Sequence, residues 1–295
     1  MEKISAEIAA GRRLVSDGAW GTLLQKKGLK PGECPELWCL THRAEVLEIA
    51  RGYIAAGADM IKTNSFGGTA FKLDFYGLSE KAGEINMAAA AISREAAGQE
   101  KHVIASMGPT GKMLLMGDVT EDQLKQAFAA QAAALAQGGA DAVCIETMSD
   151  LAEARLAIEA VKENTDLEII CTFTFEKNAQ GEYRTMMGVS PSEMAVACAE
   201  AGADIIGSNC GNGFEQMPDI AAEIRKAVPG KPLIINANAG MPFQRGGATV
   251  FPETPEMAAG FVPALMAAGA NIIGGCCGTT PEHIRAIARA VRDLG

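Results

Sequence analysis

One phrase recurs four times along this chain, and it constrains the fold more than any other feature. It reads Ala56-Gly57-Ala58-Asp59-Met60-Ile61, then Gly139-Ala140-Asp141-Ala142-Val143, then Ala201-Gly202-Ala203-Asp204-Ile205-Ile206, and last Ala268-Gly269-Ala270-Asn271-Ile272-Ile273. In each copy a helical segment ends, a glycine takes the left-handed conformation that closes it, and a turn of small residues feeds a short apolar strand. This is the helix-to-strand half of a repeating unit. Between the copies lie four more short apolar runs: Arg13 to Ser16, Val103 to Met107, Ile169 to Phe175 and Leu233 to Asn236. Eight strands therefore alternate with helices. The helix starts are marked by Ser190-Pro191-Ser192-Glu193, Thr280-Pro281-Glu282, Thr254-Pro255-Glu256, Thr120-Glu121-Asp122-Gln123 and Asp150-Leu151-Ala152-Glu153, each an N-cap or capping-box pattern.

Eight alternating units predict an α/β chain folded as a (β/α)8 TIM barrel, with the repeats on the second, fourth, sixth and eighth strands. The rival is an open doubly wound sheet. A nucleotide-binding version of it needs a G-x-G-x-x-G or Walker turn after an early strand, and the chain has neither. No linker rich in Pro, Gly or Ser divides the sequence, so one domain over residues 1–295 is expected. The net charge of −10 disfavours nucleic acid and anionic membrane as partners. No apolar stretch approaches the ~20 residues of a membrane span. The N-terminal stretch carries Glu2, Lys3 and Glu7 in an Ala/Ile pattern and reads as an amphipathic helix, not a signal peptide. A cytoplasmic setting follows as an expectation, and in it eight cysteines favour metal ligands or buried hydrophobes over disulfides.

Three of those cysteines stand apart. Cys276 and Cys277 lie in Gly274-Gly275-Cys276-Cys277-Gly278-Thr279, and Cys210 lies in Gly207-Ser208-Asn209-Cys210-Gly211. Each group follows an apolar run and is flanked by glycine, which places three thiols at strand ends where a barrel keeps its active site. Neighbouring residues of a regular strand point to opposite faces, so Cys276 and Cys277 reach one point only if the chain leaves strand geometry there. Three thiolates meeting at one point suit Zn2+ with a fourth position open. Packing roles, or a disulfide between Cys276 and Cys277, are the alternatives. Cys144, Cys171 and Cys198 fall inside apolar patterns and read as core, and Cys34 and Cys39 as structural. The three histidines, His42, His102 and His283, sit at helix starts or a strand start, so a metal site here is thiolate-rich.

Other strand-end residues are Asp17, Gly18 and Trp20 after the first strand, Thr63 and Asn64 after the second, Glu146 and Thr147 after the fourth, and Asn236 and Asn238 after the seventh. Glu146 and Asp17 are candidate acceptors for the ammonium group of a small amino-acid ligand, with capping or a loop salt bridge as the plainer role. Asp59, Asp141 and Asp204 precede their strands at the opposite end of the barrel and read as structural.

On these residues the chain resembles the homocysteine S-methyltransferase family, and within it the homocysteine-binding barrel of cobalamin-dependent methionine synthase. The matching segments are Asp17-Gly18-Ala19-Trp20-Gly21-Thr22, Gly57 through Phe66, Glu146-Thr147-Met148, Asn209-Cys210-Gly211, Asn238-Ala239-Gly240-Met241-Pro242 and Gly274 through Thr279. The resemblance implies zinc on Cys210, Cys276 and Cys277, with Asn238 able to occupy the fourth place before substrate arrives. It implies homocysteine held by Asp17, Gly18, Ala19, Trp20, Asn64, Glu146, Thr147 and Asn238. Trp20 departs from the smaller residue that the family motif often carries. The implied reaction is methylation of homocysteine to methionine through a zinc-bound thiolate. None of the three histidines has an Asp two residues before it, as the corrinoid-binding Asp-x-His-x-x-Gly loop requires. The methyl group is then expected from methylcobalamin on a separate corrinoid protein, or from S-methylmethionine or betaine. A zinc lyase or a non-catalytic subunit that only presents a thiol are the remaining alternatives.

Overall fold

A computed structural model describes residues 1–246 and 248–294. Its eight barrel strands are β1 (Leu14–Val15), β2 (Met60–Lys62), β3 (His102–Met107), β4 (Ala142–Met148), β5 (Glu168–Phe173), β6 (Ile205–Gly213), β7 (Leu233–Asn238) and β8 (Ile272–Gly275). They form one parallel sheet in the order β1-β8-β7-β6-β5-β4-β3-β2, which is the expected (β/α)8 barrel. Two short hairpins, Glu176–Lys177 with Tyr183–Arg184 and Phe243–Arg245 with Ala248–Val250, extend the loops after β5 and β7.

The fourfold phrase has a physical purpose. Asp59, Asp141, Asp204 and Asn271 each exchange two hydrogen bonds with the start of the preceding strand. Their backbone N–H groups donate to the carbonyls of Val15, Val103, Ile169 and Leu233 at 2.8–2.9 Å. Their side-chain oxygens accept the N–H of those same four residues at 2.8–3.0 Å. Asparagine serves at the fourth copy because one amide oxygen suffices. At the first copy this latch joins β1 to β2 and closes the barrel. The preceding glycines, Gly57, Gly139, Gly202 and Gly269, have φ between 99° and 106°, a region that any side chain would strain. The capping signals are also realised: Thr120 and Ser190 form full capping boxes, and Thr254 and Asp150 accept N-terminal N–H groups.

Alternation sorts the side chains. Outward residues such as Val15, Ile61, Val103, Val143, Ile206 and Ile235 join the large core beneath the helices. Inward residues Leu14, Met60, Ile104, Ala142, Cys144, Ile170, Ile205, Ile234 and Ile272 pack as a second core with Ile4 and Ile8. Ile4 and Ile8 belong to the N-terminal helix Ile4–Ala9, which plugs the barrel floor. Glu168 accepts the N–H groups of Ile4 and Ser5 at that helix's start, at 2.7 and 2.8 Å. Glu7 meets buried His102 at 2.7 Å. No described helix is long and apolar enough to cross a membrane.

Candidate metal centre and ligand cavity

Above the isoleucine layer, the barrel interior turns polar. The inward positions there include Ser16, Lys62, Ser106, Glu146, Thr172, Asn209 and Asn236, all buried. Lys62 Nζ lies 3.0 Å from Glu146 Oε2, and Ser106 Oγ donates to Glu146 Oε1. Burial opposes the charge on Lys62, yet the carboxylates of Glu146 and Asp17 hold its ammonium well above the usual lysine range. Asn209 is fixed by Thr172 Oγ1 and by the backbone N–H and hydroxyl of Thr147, at 2.7–2.9 Å.

Above this layer the strands break their ladder. The register between β4 and β5 shifts between Ile145 and Met148, and that between β6 and β7 shifts between Asn209 and Gly213. Thr147 and Cys210 sit in these bulges with φ of 63° and 59°, the two non-glycine residues with positive φ among the described residues. Such backbone costs of order 1–3 kcal/mol and gathers at functional sites. Here it turns Cys210 out of the strand. On the other side, Cys276 and Cys277 follow β8 in a turn: Cys276 N–H donates to Ala237 O at 2.7 Å, Thr279 N–H to Cys276 O at 3.1 Å, and Ala239 N–H to Cys277 O at 2.9 Å. Gly278, at φ 81°, supplies the departure from strand geometry that the vicinal pair demands.

The result is convergence. The sulfurs of Cys210, Cys276 and Cys277 all lie within 4.8 Å of one another, and Cys210 Sγ is 3.9 Å from Cys277 Sγ. Tetrahedral zinc with Zn–S bonds of ~2.3 Å separates its sulfurs by about 3.8 Å, so the donor set fits that ion. All eight cysteines are free thiols, so Cys276 and Cys277 are not bonded to each other. Contacts from the Cys276 and Cys277 thiols pull Cys210 below the ordinary thiol range, helped by the N–H of Gly211 and the amide of Asn238. The same contact with Cys210 pushes Cys276 and Cys277 up. Asn238 Oδ1 is buried beside this cluster with no protein hydrogen-bond partner.

A cavity of about 290 Å³ opens onto the sulfurs, a volume suited to a ligand of amino-acid size. Gly18, Ala19, Trp20, Asn64, Glu146, Thr147, Cys210, Cys276 and Cys277 line it. Two residues expected to touch the ligand are not among those that line the cavity. Asp17 lies behind the wall, fully buried, where it accepts from Trp20 Nε1 at 2.9 Å and from Lys62 N–H at 2.8 Å. Burial raises its pKa to about 6 against the opposing pull of Lys62. Asn238 also stays out of the lining and reaches the site through Cys210. Asn64 lines the cavity, but its amide donates to Pro35 O at 2.7 Å, so it clips a loop. Gly18 is required by close packing, since a Cβ there would meet Thr279 Oγ1 and the Tyr53 ring. Ala19 N–H donates to that same Thr279 hydroxyl at 3.1 Å, and Gly275 N–H to Asp17 O at 2.8 Å, which interlocks the Asp17 and cysteine loops.

Ser106 and Thr172 were missed from sequence. Their signal is phase: each stands two residues after an inward isoleucine. The remaining cysteines and histidines have structural places. Cys34, Cys39, Cys144, Cys171 and Cys198 are buried. His42 stacks on Trp38 at 4.1 Å, and His283 bonds Thr280 and Glu253 O at the start of the last helix.

The profile of the homocysteine S-methyltransferase family matches residues 14–291. The chain belongs to the homocysteine S-methyltransferase family. It is 32% identical to a methionine synthase from Mycobacterium leprae and 29% identical to one from Mycobacterium tuberculosis, over 97% and 98% of its own length. It spans about a quarter of the length of those relatives, 25% of each. Among solved structures, the metallated form of the Escherichia coli homocysteine methyltransferase MmuM matches 96% of this chain and 98% of its own, with a TM-score of 0.77 and 22% identity. A methyltransferase from Methanosarcina mazei matches 96% and 94%, with a TM-score of 0.61 and 13% identity. These structural likenesses support the barrel fold expected from the fourfold repeat.

Proposed function

We propose that this chain methylates homocysteine to methionine, with zinc held by Cys210, Cys276 and Cys277. The observation that carries the reading is the meeting of three sulfurs, from two loops 67 residues apart in sequence, on the wall of an amino-acid-sized cavity in a chain of this family. When bound, zinc supplies the Lewis acidity that lets an incoming thiol, with a free pKa of ~8.5, lose its proton near neutral pH. The bulge at Cys210 and the turn at Cys276–Cys277 set the three donors around one point and leave the cavity side open. Glu146 offers a carboxylate within the cavity for the substrate ammonium. Asp17 acts at one remove: it fixes Trp20 and the backbone of Lys62, and so shapes the wall that the ligand meets. Asn238 holds Cys210 and keeps an unspent oxygen beside the three sulfurs.

The methyl donor in this reading is methylcobalamin held by a corrinoid-binding module outside residues 1–295. The support is the kinship with methionine synthases, a quarter of whose length this chain spans. The test mixes zinc-loaded protein and homocysteine with methylcobalamin, S-methylmethionine or betaine, and follows methionine. Methionine formed from methylcobalamin is the expected result. Turnover with only S-methylmethionine or betaine transfers the reading to a small-molecule donor. No methionine from any donor, with zinc bound, removes the enzyme reading.

A further inference from the structure

Lys62 is the group at this site that the reaction above does not use. Its side chain is 5% exposed, and it lines the same cavity as the three cysteines. Its Nζ has one ion-pair partner among the described residues, Glu146 Oε2 at 3.0 Å. An ammonium carries three donors and no acceptor, so this contact leaves donor capacity open. The neighbouring carboxylates do not exhaust it. Asp17 is engaged by Trp20 Nε1 and by the backbone N–H of Lys62. A buried cation with open donors is costly unless something fills them. Lys62 is held in place from both ends, because Ser93 Oγ also donates to its carbonyl at 2.9 Å.

We propose that Lys62 is the receptor for the carboxylate of the thiol substrate, so that the Lys62–Glu146 pair reads an α-amino-acid head group as a unit. This rests on the thiol reading above and names its substrate class more closely. A zwitterion carries a cation and an anion on one carbon. Lys62 and Glu146 present a cation and an anion 3.0 Å apart, on the wall of the cavity that also holds the sulfurs. The substrate ammonium goes to Glu146, which keeps acceptor capacity beyond Ser106 and Lys62, and its carboxylate goes to Lys62. A thiol that lacks the carboxylate leaves the ammonium of Lys62 uncompensated, and discrimination follows from that unpaired charge.

The test is calorimetric binding to the zinc-loaded full chain, with three thiols of similar length: homocysteine, 4-mercaptobutanoate and 3-mercaptopropylamine. The last lacks the carboxylate and the second lacks the ammonium. In the wild-type protein, 3-mercaptopropylamine should bind about 10- to 100-fold more weakly than homocysteine, as for loss of a hydrogen bond to a charged group. Lys62→Met should weaken homocysteine and 4-mercaptobutanoate by a similar factor while changing 3-mercaptopropylamine less than about threefold. Thermal melting and zinc content of the variant report whether it folds. Should it not fold, the wild-type comparison alone decides. Equal binding of 3-mercaptopropylamine and homocysteine to the wild type, or an equal loss for all three thiols in a folded variant, overturns the role of Lys62 and leaves the thiol reading standing. Binding of none of the three thiols removes both.

Discussion

The two ends of this barrel are built on opposite principles. At the end where the strands begin, the polar groups serve the fold. Asp59, Asp141, Asp204 and Asn271 latch four strand pairs, a ring of isoleucines fills the bore, and the helix Ile4–Ala9 seals it. At the end where the strands finish, order is deliberately incomplete. Two ladders slip, two non-glycine residues take positive φ, three thiols crowd together, and Asn236 and Asn238 keep unpaired buried oxygens. One end supplies stability and the other uses some of it to hold reactive groups in place, as expected of a barrel enzyme.

That contrast can be broken. The largest effect should come from the sulfurs. Cys277→Ala or Cys276→Ala should abolish stoichiometric zinc and methyl transfer, read by metal analysis and methionine formation. The thermal midpoint should stay close to that of metal-free wild type, because the latches and isoleucine ring are untouched. Retained zinc and full turnover in both variants contradict the site. At the other end, Ile234→Ala removes a fully buried side chain from the ring. It should cost about 2–5 kcal/mol in a denaturant titration, with zinc content unchanged. Loss of zinc at unchanged stability would mean that the two ends are not separable.

A smaller effect sharpens the border between them. Burial raises the folded pKa of Asp17 to about 6 from its ordinary 3.8. The folded chain thus keeps a proton that the unfolded chain has already released, so Asp17 favours folding below pH ~4 and loses that contribution as pH rises through 6. The difference is of order 3 kcal/mol. Asp17→Asn does not titrate. Its stability relative to wild type should therefore rise between pH 4 and pH 7. A pH-independent difference would show that the carboxylate is better solvated than its position indicates.

The sequence was legible where a feature is local or repeats. The eight strands, the glycine-capped helix ends and the capping boxes rest on short-range spacing, and four copies made the period plain. The placement of three cysteines at strand ends followed from the apolar runs before them. What escaped was decided across strands. Nothing near Cys210 in sequence states that β6 slips against β7 there, and Gly211 and Gly213 only permit it. Asp17 read as a ligand group because it ends a strand, but its direction is set by Trp20 and by the Lys62 N–H, 45 residues away. Lys62 stood at a strand end in plain view, while its partnership with Glu146 is visible only once β2 and β4 curve into one ring.

The four latches carry one more consequence. Each joins an odd strand to the even strand that follows it, so the wall is a ring of four self-fastened panels. The loop at residues 165–167 lies between the second and third panels. Joining the two ends of this 295-residue chain with a linker and opening it there would leave every fastening inside its own panel. The three cysteines would then stand ahead of Glu146 in the polypeptide, yet the pocket they share would be rebuilt from the same four pieces.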